Sequence, residues 1–126
     1  MPVEYHIDKK ANALFSRAWG TLSDSDLIEH QRLITNDPDF KPDLHQLFDF
    51  TKVTRVALTA EGIALLASRD PFGMGAKRAF IVSPGAMVMF GMMRMLETLC
   101  TEHLDEFRVQ FDHISKARLW LGLTET

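Results

Sequence analysis

The chain has a single cysteine, Cys100, which excludes an internal disulfide and a cysteine-built zinc site. It has no excess of positive charge: 14 Lys and Arg stand against 17 Asp and Glu, a net charge of -3. The cations are scattered, the densest pairs being Lys9-Lys10 and Lys77-Arg78. With no basic stripe to neutralise phosphates, nucleic acid is excluded as a partner. Long apolar runs are missing too. The richest stretch, from Pro84 to Cys100, is interrupted by Gly91 and Arg94 and is too short to span a bilayer. The opening "MPVEYHIDKK" lacks the basic start and apolar run of a signal peptide. What remains is ordinary globular composition, 46% apolar and 25% charged, in a length that fits one domain over residues 1–126. A lone thiol fits a reducing compartment. The expectation is a cytoplasmic protein with no cofactor.

Periodicity organises the chain. "VEYHID" alternates Val3, Tyr5 and Ile7 with polar residues, the mark of a half-buried strand, and "ALFSRAW" reads as its hairpin partner, ending at Gly20. Ser23 with Asp26 three residues on is a capping-box pattern opening a helix that stops near Asn36. Leu27, Leu33 and Ile34 give it a narrow apolar stripe. Proline at 38 disfavours helix at Asp37 and opens the loop "DPDFKPD", with Phe40 as its anchor. "LHQLFDF" is a third strand ending at Asp49, and Thr59 is placed to cap the helix "AEGIALLASRD". "RAFIVS" is continuously apolar, as a strand covered on both faces should be. A methionine-rich helix follows with Pro84 in its first turn, then the strand "DEFRVQF" and a helix capped by Asp112 and closed at Gly122. Strands alternating with single helices imply right-handed crossovers. The fold class expected is α/β: a five-stranded, mostly parallel sheet with an antiparallel first strand, wrapped by four helices.

Three stretches carry a resemblance. "GTLSDSDL" followed by "DPDF", the strand "LFDFTKVT" and the closing "FRVQFDHISKARLWL" are together similar to SpoIIAA-like proteins. These are relatives of the sulphate-transporter and anti-sigma-factor-antagonist (STAS) domain. The resemblance implies an open sheet wrapped by helices and mostly non-enzymatic work: regulation, protein docking and, in some relatives, binding of small apolar ligands. Anti-sigma antagonists carry a phosphorylated serine in an Asp-Ser-Ser-Gly-like motif at the start of the second helix. This chain has "VALTAEG" there, so Thr59 is the only hydroxyl at the switch position. The ordinary reading of Thr59 is a helix cap.

Little else looks like chemistry. His6, His30, His45, His103 and His113 show no i, i+4 pair and no metalloprotease spacing, so they read as solvated or hydrogen-bonded residues and no metal is expected. There is no nucleophile elbow. Cys100 falls on an apolar helix side, where burial would raise its pKa. "FGMGAKR" precedes a strand, whereas a phosphate cradle should precede a helix. Asp49 sits where open parallel sheets bind ligands, but hydrogen bonding to the following turn at Thr51 or Val53 is the favoured reading.

The methionine helix holds five of the chain's seven methionines. At about 100° per residue, Val88, Met92, Met95, Leu96 and Leu99 share one side, extended by Met89, Met93 and Cys100. That side is the expected core face. Met87 and Phe90 then project towards water beside Gly91 and Arg94, as a contact patch would. The leading expectation is a binding module acting on another protein chain or a second copy of itself. The alternative is a carrier holding a small apolar ligand between this helix and the sheet. An enzyme would need a carboxylate and an imidazole converging in a cleft.

Overall fold

The structure, a computed structural model, describes residues 1–100, 106–111 and 113–123. Its elements run β1 (Val3–Asp8), β2 (Ala13–Ser23), α1 (Asp24–Thr35), β3 (His45–Ala57), α2 (Ala60–Ser68), β4 (Lys77–Val82), α3 (Met87–Cys100), β5 (Glu106–Phe111) and α4 (Ile114–Trp120). The strands lie in the order β1-β2-β3-β4-β5. β1 pairs antiparallel with β2, and every later pair is parallel, the mixed pattern that the element order predicts.

Because the strands add in sequence order, crossovers of one hand bring α1, α2 and α3 to the same face of the sheet. The larger core lies there, where Leu27, Ile34, Ile63, Leu66, Met89, Met93 and Leu96 meet Leu14, Phe48, Phe50 and Phe80. α4 covers part of the opposite face, packing Ala117, Leu121 and Leu123 on Ala13, Leu47, Ala79 and Ile81. β4 is therefore covered on both sides, and Arg78 to Val82 are all buried.

Local chemistry sets the element ends. Ser23 and Asp26 complete the capping box of α1, with Asp26 accepting from the Ser23 N–H at 2.9 Å. α1 buries His30 along with Leu27 and Ile34, so the narrow stripe is filled by an imidazole rather than widened by Leu33. At its far end the Tyr5 hydroxyl donates to Asp37 at 2.8 Å, tying β1 to the helix exit. Phe40 meets Phe72 edge-on across the following loop.

Three boundaries differ from the sequence reading, and one lies outside the described residues. β2 continues through Gly20 to Ser23, and β3 continues past Asp49 to Ala57. The alternation breaks because the register slips twice, between Arg17 and Trp19 and between Gly20 and Thr21. Asp49 faces Arg17 while Lys52 faces Trp19, and Val53 faces Gly20 while Arg55 faces Thr21, so β3 carries one extra residue at each slip. Gly20, at φ +66°, supplies the left-handed backbone at the second slip. The bulges keep Phe48, Phe50, Val53 and Val56 against the helix-side core at irregular spacing. α3 starts at Met87 rather than with Pro84, because Ser83 to Ala86 form a turn with Gly85 at φ +84°. His113 is the N-cap of α4, without a side-chain bond, and the cap expected of Asp112 lies outside the described residues.

Candidate functional site

Buried polarity gathers under the helices. Arg78 on β4 and Gln46 on β3 are register partners, and the Arg78 Nε donates to Gln46 Oε1 at 2.9 Å. Arg78 Nη1 donates to Asp70 Oδ1 at 3.0 Å, while the guanidinium lies 4.3 Å from the centre of the Phe72 ring. His30, from α1, shares a 2.9 Å hydrogen bond between its Nε2 and Ser16 Oγ on β2, against the Phe48 ring at 4.9 Å. Burial first, and Arg78 second, push the His30 pKa down to about 4. Burial raises the Cys100 thiol, beside Arg78 and Asp70, to about 12. The imidazole and the thiol are therefore neutral, and the ion pair satisfies itself.

A carboxylate and an imidazole thus line one cavity, with Phe48, Phe50, Phe72, Phe80 and Met93 as its aromatic and thioether walls. Its volume decides what it can do. At about 30 Å³ it takes a water or two, whereas small-molecule sites run to several hundred Å³. Asp70 is engaged by Arg78 and His30 by Ser16, so neither is poised on open space. The cluster is a satisfied core network.

α3 buries one edge of the expected face. Its buried stripe is Met89, Met93, Leu96 and Cys100, all four within the expected arc but turned by about 50° from that arc's centre. Met92 and Met95 are half-buried, and Val88 is 62% exposed. Phe90, expected to face water, is half-buried against the core. The exposed patch is thus Met87, 67% exposed, with Val88 and Gly91; Arg94 stands behind it in a 3.0 Å ion pair with Glu97. The phase was undecidable in the sequence because the first turns are apolar nearly all round. Packing against α2 and β5 chooses it.

Thr59 is the N-cap of α2. Its Oγ1 accepts from the Gly62 N–H at 3.1 Å and donates to Asp24 at 2.5 Å, and its own N–H donates to Asp24 at 2.9 Å. Asp49 lies inside β3 rather than at a strand end, and its Oδ1 accepts from the Thr51 N–H at 2.8 Å and the Thr51 hydroxyl at 2.6 Å. The remaining described histidines are also placed: His6 stacks on Phe15, and His45 Nδ1 accepts from the Lys77 N–H at 3.1 Å. His113 is exposed.

The feature that sequence reasoning missed is a groove beside the α3 patch. Val53, Thr54 and Val56 of β3 form one wall, and Gly85, Met87 and Val88 form the other, around some 230 Å³ of open space. Ending β3 at Asp49 hid it. The one signal available was the run of β-branched residues in "TKVTRVAL".

No protein-family model matches the sequence, and no curated protein does. Among solved structures, the chain is similar to an uncharacterised DUF3478-family protein with a SpoIIAA-like fold from Shewanella loihica PV-4. The identity is 18%, the TM-score 0.59, and the match covers 94% of this chain and 93% of that one. Identity at that level speaks for architecture alone, and with the mixed sheet and four helices it establishes that this chain has a SpoIIAA-like α/β fold.

Proposed function

We propose that the chain is a non-enzymatic binding or regulatory module that acts through protein–protein contacts. The observation that carries this reading is the pair of exposed apolar side chains, Met87 and Val88, on the rim of the groove against Val53 and Val56. Single exposed apolar residues are common on any surface. Two adjacent ones lining a concave apolar wall are the arrangement of an interface centre. Modules of SpoIIAA-like fold commonly work in this way. The groups of an acid–base catalyst lie in the core, where each already has a protein partner. The carrier reading finds aromatic walls in the interior but only about 30 Å³ between them.

Native mass spectrometry of the protein purified from its own cells, beside a Val88→Asp variant, tests the reading. The wild-type chain should carry a second polypeptide at fixed stoichiometry, a partner or another copy. The variant should lose it while melting at the same temperature. A wild-type protein that flies as a bare monomer, or retains only a small molecule, would overturn it.

A further inference from the structure

We infer that the open edge of β3, from Lys52 to Ala57, receives an extended segment of a partner protein whose side chains alternate between apolar and acidic. The inference rests on the binding-module reading and names the chemistry of its partner. β2 accompanies β3 as far as Ala57, but β4 pairs with it only from Gln46 to Asp49. In parallel pairing a strand sends its N–H and C=O groups alternately to its two sides. Half of those groups between Lys52 and Ala57 therefore face outwards with no strand among the described residues to meet them, as at any sheet edge. At Thr51 the carbonyl still accepts from the Ser83 hydroxyl, at 3.2 Å, the last such bond across that edge among the described residues. Six residues beyond it span about 20 Å, the length of an ordinary strand.

The two bulges determine what an added strand would touch. They place Val53 and Val56 on the helix side of the ribbon, facing Met87 and Val88 across the groove. Lys52 lies on the other side, in a hollow with Trp19 and Asp49, and Arg55 is the register partner of Thr21 on that same side. Both cations are exposed, and among the described residues neither forms an ion pair. Every second side chain of an incoming strand would therefore enter the apolar groove, while the others would lie over Lys52 and Arg55. Alternating valine-like and carboxylate side chains match both sides.

A second copy of this chain matches poorly. Two β3 edges paired antiparallel about a two-fold axis put directly opposed residues on one face. With the axis between Val53 and Thr54, Lys52 of each copy would then oppose Arg55 of the other, and like charges opposed across strands are destabilising. The same cations that discourage self-pairing select an acidic partner.

The test uses the full chain and three capped peptides in isothermal titration calorimetry: alternating Val and Glu, alternating Val and Lys, and the Val-Glu peptide N-methylated at every amide. The Val-Glu peptide should saturate with a Kd tighter than about 1 mM, the weak end of specific recognition. The Val-Lys and N-methylated peptides should bind at least about tenfold more weakly. The Lys52→Glu/Arg55→Glu variant should reverse the preference between Glu and Lys peptides. Circular dichroism checks that it folds, and if it does not, the N-methylated peptide decides alone. No saturable binding of the Val-Glu peptide, or binding indifferent to N-methylation, would overturn the inference. A Val88→Asp protein that loses a cellular partner while the peptide fails to bind would remove this proposal and leave the module reading standing.

Discussion

Arg78 and Asp70 form an ion pair at 3.0 Å with their side chains only 7% and 2% exposed. Removing one partner leaves the other charged and desolvated, which costs about 3–5 kcal/mol. Asp70→Ala should lower the unfolding free energy by that amount in urea titration. Combining Asp70→Leu with Arg78→Met should cost less than the sum of the single changes, because no orphan charge remains. Additive losses would mean that the pair is not coupled.

His30 should make the fold sensitive to mild acid. Its pKa falls from 6.5 to about 4 on folding, chiefly through burial. Between those values the unfolded chain binds a proton that the native chain refuses, so stability falls as pH drops from about 6.5 towards 4. The full loss is on the order of 3 kcal/mol. His30→Gln should flatten the stability profile in that window, and a profile of unchanged slope would contradict the assignment.

The phase of α3 is open to direct measurement. Met89 and Met93, at 2% and 0% exposure, should each cost about 2–5 kcal/mol when truncated to alanine. Met87→Ala, at the exposed rim, should change stability by less than about 0.5 kcal/mol. Denaturation curves in the reverse order would rotate the helix.

The α2 cap yields a prediction of sign. Thr59→Ala removes the cap and should cost about 1 kcal/mol. A β-carbon at Gly62 would collide with the Asp24 carboxylate that accepts both Thr59 bonds, so Gly62→Ala should destabilise. In an Asp24→Ala background the collision is gone. There the same change should be neutral or stabilising by up to about 1 kcal/mol, since alanine outranks glycine within a helix. Thermal melts of the four proteins in this cycle would show the reversal.

Phosphate on Thr59 should act as a disruption rather than a switch. It would break the cap and set a second negative charge against Asp24. Full phosphorylation of cell-derived protein at Thr59, coupled to partner exchange at unchanged stability, would contradict that.

The order of elements, the capping box of α1, the cap of α2 and the burial of "RAFIVS" were legible in the sequence. Each depends on neighbours within a few residues: a hydroxyl before a helix, an acid three positions on, an unbroken apolar run. The pattern of parallel and antiparallel pairs followed from that order, because a single helix between strands leaves the chain few ways to return.

Only the tertiary structure decided the rest. The length of β3 depended on bulges set by its register with β2, a relation between residues more than thirty positions apart that alternation within one strand cannot reveal. The buried face of α3 depended on what packs on it, since its first turns are apolar on almost every side. Arg78, Asp70, Gln46 and His30 looked unremarkable one by one, because a buried polar network exists only once strands and helices bring its members within hydrogen-bonding distance. The groove at Met87 is of the same kind. Half of it is supplied by a stretch of β3 whose strand character is fixed by pairing with β2, its run of β-branched residues being the one local signal.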